Sequence, residues 1–362
     1  MTRSGGAVAA AAAAAGALLT VAVVPLLAAP HAPGSPEARG RALAAAAAWR
    51  DTLDAARAPE VPQPGSTESV IVILRGRPAI AARPGARAAA AAALSDRQAA
   101  LSPALASLGA TVTFRYRILV NGLALRLPAG RLGALAGLSD VREIVPVRYL
   151  APAAAPGAVT RPTPLPAGRA RSAASRAAAA VRPGLRAGPR HIALIDGAVD
   201  VSHPWLGGAM GPTHPIVGGL DLVDGDGDPS ARAGGADVGE AHGTQLAGIV
   251  LRAAALRGLP PALVPRLLVY RVLAGVRVDG RMRPLARTDR LLAALERAVD
   301  PNGDGDPRDR ADVILLGLAG GFDGGAPDPL AQALRAADRA GSVAVVPAGN
   351  DGPSFGAAGT VG

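Results

Sequence analysis

Between residues 191 and 346, short aliphatic runs alternate with segments of helical period, and this alternation constrains the fold more than any other feature. The apolar runs fall at residues 192–195, 267–273, 313–318 and 343–346. They lack the polar-every-second-residue pattern of a strand with one wet face, so both of their faces must be covered. Helical segments at 242–254, 288–299 and 329–340 separate them, long enough to carry the chain back between parallel strands. The expected fold class is therefore α/β, with a parallel, doubly wound sheet. In such sheets the working residues gather at the carboxyl ends of the strands.

A different order precedes this region. Residues 70–74 (Val-Ile-Val-Ile-Leu) predict a strand, and 86–108 an alanine-rich helix with leucines at helical spacing. Pro103 must bend or restart that helix. Residues 109–116 predict an alternating strand, Asn121-Gly122 a turn, 123–127 a strand, 132–138 a short helix and 141–147 a last strand. The order β-α-β-β-α-β is the split ferredoxin-like α+β plan. Residues 66–150 thus form a small first domain and 191–362 a second. Residues 151–190 are rich in Pro, Ala, Gly and Arg without periodicity, and predict a linker open to cutting at its arginines. Residues 33–65 predict a segment without fixed structure. Residues 1–32 carry a single Arg before a long Ala/Val/Leu run, as in a secretory signal or an N-terminal anchor.

Charge is divided between the domains. Residues 66–190 hold 18 arginines against 4 acids, net +14, and residues 191–362 hold 15 against 20, net −5. Opposite signs predict two segments that attract one another. The chain has no lysine, and aromatic residues make up 2% of it, too few for base stacking, which argues against nucleic acid as a partner. It has no cysteine and only five histidines, so neither disulfides nor a thiolate or multi-histidine metal centre is available.

Three motifs carry chemistry. His242 stands in Glu-Ala-His-Gly-Thr-Gln-Leu-Ala-Gly at the opening of a helical run, and a neutral imidazole there can take and return a proton near neutral pH. Asp196 ends the apolar run of Ala-Leu-Ile-Asp-Gly-Ala-Val-Asp, where a carboxylate can orient an imidazole, and Asp200 is a rival acid four residues on. Asn350, in Val-Val-Pro-Ala-Gly-Asn-Asp-Gly-Pro, offers a side-chain amide to a developing oxyanion.

The order Asp, His, Asn in these settings resembles the subtilisin-like serine proteases, in which the triad runs Asp, His, Ser. Residues 118–128 (ILVNGLALRLP) and 141–150 (VREIVPVRYL) resemble the inhibitory propeptide of that family. The resemblance implies a secreted endopeptidase precursor, with peptide or protein substrates and its own prodomain as an intramolecular inhibitor. It assigns catalytic roles to Asp196, His242 and Asn350, and substrate binding to Gly317, Leu318 and Ala319. It also implies that the product-like end of the prodomain, near residues 147–150, approaches that substrate strand. The family carries Asn and Ser before Leu-Gly-Gly where this chain has Leu315-Leu316-Gly317-Leu318-Ala319-Gly320, and a hydroxyl residue where this chain has Gly197. Ser342 and Ser354 do not lie in the Gly-Thr-Ser-type segment that bears the family's nucleophile. The expectation is an incomplete sheet, cut off before its serine, and an inactive 362-residue polypeptide. A non-catalytic binding protein on the same fold is the alternative.

Two acidic runs, Asp224-Gly-Asp226-Gly-Asp228 and Asp300-Pro-Asn302-Gly-Asp304-Gly-Asp306, have the spacing that opens a calcium loop. Neither has a glutamate at the twelfth position, where Gly235 and Ala311 stand, so solvated turns are expected. No cofactor is required by this reading; calcium and a calcium-dependent surface module remain alternatives.

Overall fold

The computed structural model describes residues 66–152, 190–231, 240–256, 263–278, 280–320 and 328–347. The expected segments 1–32 and 33–65, and nearly all of 151–190, lie outside these residues. In the first domain the elements are β1 (Thr67–Leu74), α1 (Arg87–Ala100), α2 (Ser102–Ser107), β2 (Thr111–Tyr116), β3 (Gly122–Pro128), α3 (Leu132–Ala136) and β4 (Val141–Pro146). Pro103 sits in the first turn of α2, where its missing N–H costs nothing, and so restarts the helix as its position requires. The four strands form one antiparallel sheet in the order β2-β3-β1-β4. Alternation along β1 divides its side chains between two cores. Val70, Val72 and Leu74 meet Leu105, Leu123, Leu125, Leu127 and Leu135, while Ile71 and Ile73 belong to a larger core shared with the second domain.

Asn121-Gly122 is not the tight turn expected. Gly122 begins β3 opposite Ile73, and a Cβ there would lie 2.6 Å from the Val72 carbonyl oxygen, so the glycine answers a close backbone approach. Residues 117–121 form the connection instead.

After β5 (Tyr149–Pro152) come β6 (His191–Asp196), β7 (Ile216–Asp221), α4 (Glu240–Leu256), β8 (Arg266–Arg271), β9 (Leu273–Val278), β10 (Arg281–Arg287), α5 (Thr288–Val299), β11 (Val313–Leu316), β12 (Leu318–Ala319), α6 (Pro329–Ala340) and β13 (Val343–Val345). Five of these strands make a parallel sheet in the order β13-β11-β6-β8-β7. Its two faces are legible in β6: Ala193 and Ile195 pack toward α5 and α6, and Leu194 packs with Ala247 and Leu251 of α4. The sheet is covered on both sides, as its apolar strands demand. Four more strands form a second sheet in the order β12-β5-β10-β9. Its middle strand β5 comes from the end of the first domain and joins that domain to the second.

Candidate active site

Two backbone features bring His242 against Asp196. Asp196 is the last residue of β6, at the carboxyl end of the parallel sheet, and its backbone oxygen accepts a hydrogen bond from Val272. His242 lies in the first turn of α4, and that helix reaches the strand end because residue 243 is glycine. A Cβ at Gly243 would sit 2.6 Å from the carbonyl oxygens of both Gly197 and Ala198. The outcome is a contact of 2.7 Å between His242 Nδ1 and Asp196 Oδ1. Asp196 is fully buried, whereas the His242 side chain keeps 17% exposure, enough to meet a ligand from solvent. Burial pulls the imidazole pKa down, and the hydrogen bond and charge of Asp196 push it up; the balance lies above the ordinary value of 6.5.

The carboxylate is held unevenly. Oδ1 accepts both from His242 and, at 2.7 Å, from the Gly197 amide. Oδ2 is buried with no hydrogen-bond partner among the described residues. Gly197, which has no hydroxyl, cannot supply one. Asp200 is not a competitor for the imidazole: its Oδ1 accepts from the Ser202 amide and hydroxyl, and its own amide donates to Thr244 Oγ1.

The three residues expected to bind substrate are placed beside this pair. Gly317 is buried, and a Cβ on it would lie 2.1 Å from Asp196 Oδ2 and 3.1 Å from His242 Cε1. Leu318 and Ala319 form β12, whose partner is β5, in the register Leu318↔Pro152 and Ala319↔Ala151. The other side of β5 pairs with β10 at Ala286↔Leu150 and Arg287↔Tyr149. The chain's own residues therefore occupy the strand position between β12 and β10. The pairing residues are 149–152, slightly beyond the 147–150 segment expected to approach this strand.

Residues 190–362 match the Subtilase family. That stretch, a little under half of the chain, is similar to subtilase domains. Over 166 residues the chain is 36% identical to the minor extracellular protease Vpr of Bacillus subtilis (strain 168), a match covering 45% of this chain and 18% of that protein. The chain thus spans under a fifth of that relative's length. Two crystal structures of the epidermin leader peptide processing serine protease EpiP of Staphylococcus aureus are also similar, at 14% identity and TM-scores of 0.42 and 0.43. These matches cover 77% of this chain and 59% and 60% of those chains.

Asn350 and Ser354 lie outside the described residues. Ser342 is buried, and its hydroxyl donates to the Ala311 carbonyl at 2.7 Å, a packing role. Both acidic runs close on themselves. Asp221 Oδ1 accepts from the amides of Val223 and Asp224, while Arg271 pairs with both Asp221 and Asp224. Asn302 Oδ1 accepts from Asp304 N, and Asp304 Oδ1 from Asp306 N. Among the described residues no group of three or more His, Cys, Asp or Glu side chains is placed to hold a metal ion, and no helix is long and apolar enough to cross a membrane.

Sequence reasoning missed Glu296. Its carboxylate, buried in α5, accepts from the four consecutive backbone amides of Arg117, Ile118, Leu119 and Val120. Burial pushes its pKa up, and those four donors pull against the shift. The signal in the sequence was an acid among apolar residues of one helix face, beside Leu292, Leu295 and Val299, with Asp289 two turns before it. Nearby, the buried Tyr116 hydroxyl donates to the Asp289 carbonyl at 2.8 Å, Thr288 N donates to the Arg148 carbonyl, and Arg148 N donates to Thr288 Oγ1.

Proposed function

We propose that this chain is the precursor of a secreted subtilisin-like serine endopeptidase in which Asp196 and His242 are the acid and base, and residues 66–150 are an inhibitory prodomain. One observation carries the reading: the 2.7 Å Asp196–His242 contact at the carboxyl end of a parallel sheet, beside a substrate strand already filled by β5. In that arrangement Asp196 fixes the Nδ1–H tautomer and supports the imidazolium, leaving Nε2 to take a proton from a serine hydroxyl. Antiparallel pairing on β12 and β10 is how an extended peptide adds to an exposed strand edge, so a peptide substrate and β5 would compete for the same place. Asn350 would donate to the oxyanion, and Gly317, Leu318 and Ala319 would hold the substrate backbone. The name of the extracellular relative from Bacillus subtilis supports secretion.

A second reading, a binding protein without catalysis, draws on the buried Asp196 Oδ2 that has no partner among the described residues and on Gly197 in place of a hydroxyl. Reading the gene beyond the Gly362 codon tests both. An in-frame Gly-Thr-Ser-type segment, with casein hydrolysis by the encoded protein that is abolished by His242→Ala, is the expected result. A stop codon at that point, together with tight peptide binding and no hydrolysis, would favour the second reading.

A further inference from the structure

The loop after α5 reads like a calcium loop, yet its inward-facing groups meet the first domain. It is rigidly self-bonded: Asp300 Oδ2 accepts from Gly305 N at 3.0 Å, Asn302 N donates to Asp309 Oδ2 at 3.1 Å, and Arg297 Nη2 donates to the Pro301 carbonyl at 2.7 Å. Asp300 is 3% exposed, and its Oδ1 is buried without a partner among the described residues. Gly303 and Gly305 have φ of +78° and +85°, values that let the backbone turn its carbonyls and Cα hydrogens outward.

Two groups of the first domain fit this surface. Arg117, in the β2–β3 connection, reaches across with Nη2 to the Gly303 carbonyl at 2.9 Å, while its Nη1 donates to Ser95 Oγ of α1 at 2.9 Å. Gly305 is buried against α1: a Cβ on it would lie 2.8 Å from Ala91 Cβ and 3.2 Å from Ala88 Cα. The guanidinium thus bridges α1 and the loop, and its charge stands near the buried Asp300. A larger residue at the alanine face, or a missing cation, would separate the surfaces.

We propose that the loop at residues 300–309 is a docking latch that selects this chain's own first domain, reading a small-residue helix face (Ala88, Ala91) and one bridging guanidinium (Arg117). The latch lies apart from the β5 strand and adjoins the Glu296 site through the Arg117 amide, so it adds selectivity without touching the Asp196–His242 pair. A first domain with a bulky or acidic residue at position 88, or without a planar cation at 117, would dock less well. The inference takes from the functional reading only that residues 66–150 dock on residues 191–362.

The test uses the full chain with one engineered protease site between residues 153 and 189, cut after folding. The rate at which the two pieces separate on dilution is then measured. Loss of a charge-assisted bond and exposure of a buried acid predict that Arg117→Ala speeds separation about tenfold, with Arg117→Lys intermediate because an ammonium cannot bridge two acceptors in fixed fork geometry. Ala88→Glu, at the exposed helix residue whose backbone lies against Gly305, brings a carboxylate beside the acidic loop and should give a similar acceleration. Circular dichroism melting of the uncut variants checks that each still folds. Unchanged separation for both Arg117→Ala and Ala88→Glu overturns the latch. So does a change on removing millimolar calcium from the wild type as large as that from Arg117→Ala, because the loop would then be a metal seat. Immediate separation of the wild-type pieces would instead refute docking itself, and with it the prodomain reading.

Discussion

At Asp196 and His242 the side-chain types and their strand-end and helix-start settings were readable from the sequence, because both depend on local pattern. The strand-end position already favoured Asp196 over Asp200; what the sequence did not show is the turn after β6, where Asp200 is taken by Ser202. Since Asp196 holds His242 above its ordinary 6.5, an NMR titration of the imidazole should give a midpoint above that value, and Asp196→Asn should lower it. A raised folded pKa means that the pair stabilises fully below the unfolded value and loses that contribution as pH rises through the folded one. The melting temperature of the chain should therefore decline on the alkaline side of 6.5, less so in Asp196→Asn; equal declines would refute the coupling. Gly243 offers a test of opposing effects. Alanine is better than glycine in a helix by about 1 kcal/mol, but a Cβ here meets two carbonyl oxygens, and overpacking costs about 1–3 kcal/mol. The clash should win, so Gly243→Ala should lower the midpoint of urea unfolding and shift the His242 titration.

Elements whose ends carry their own signals agree with the sequence reading. Helix α6 runs from Pro329 to Ala340 because Asp328 accepts from Leu330 N at one end and Gly341 turns left-handed, with φ +99°, at the other. The antiparallel ribbon β9–β10 was missed because Arg, Gly and Pro interrupt the apolar residues of its strands. Strand β5 was hidden for another reason: four residues acquire strand geometry only between partners more than a hundred residues away. Glu296 was hidden likewise, since its four amide partners lie in the other domain. Each bond to a charged acceptor contributes about 1.5–3 kcal/mol, and a neutral amide can accept at only one oxygen. Glu296→Gln should therefore leave buried N–H groups unpaired and accelerate separation of the cut first domain by about a hundredfold, measured as above. A change of less than threefold would show that the apolar contacts alone hold the two domains.

For the whole molecule, the sequence predicted two domains of opposite charge, and in the structure Arg148 pairs with Asp328, and Arg117 reaches Gly303, across their boundary. Apolar packing dominates that boundary, with Ile71, Ile73, Tyr116 and residues 118–120 in one core with Leu291, Leu295 and Leu330. Charge should accordingly govern the approach and packing the hold. Raising ionic strength should slow re-association of the cut pieces more than it speeds their separation, in stopped-flow fluorescence at two salt concentrations. Equal effects on both rates would show that the charge pairs across the boundary, and not packing, set the hold. The position of β5 has a consequence for synthesis. Residues 149–152 leave the ribosome before residues 281–287 and 318–319, the two strands that flank them. The occupant of the cleft is thus made before its walls, and each new copy closes its groove around a strand already waiting there.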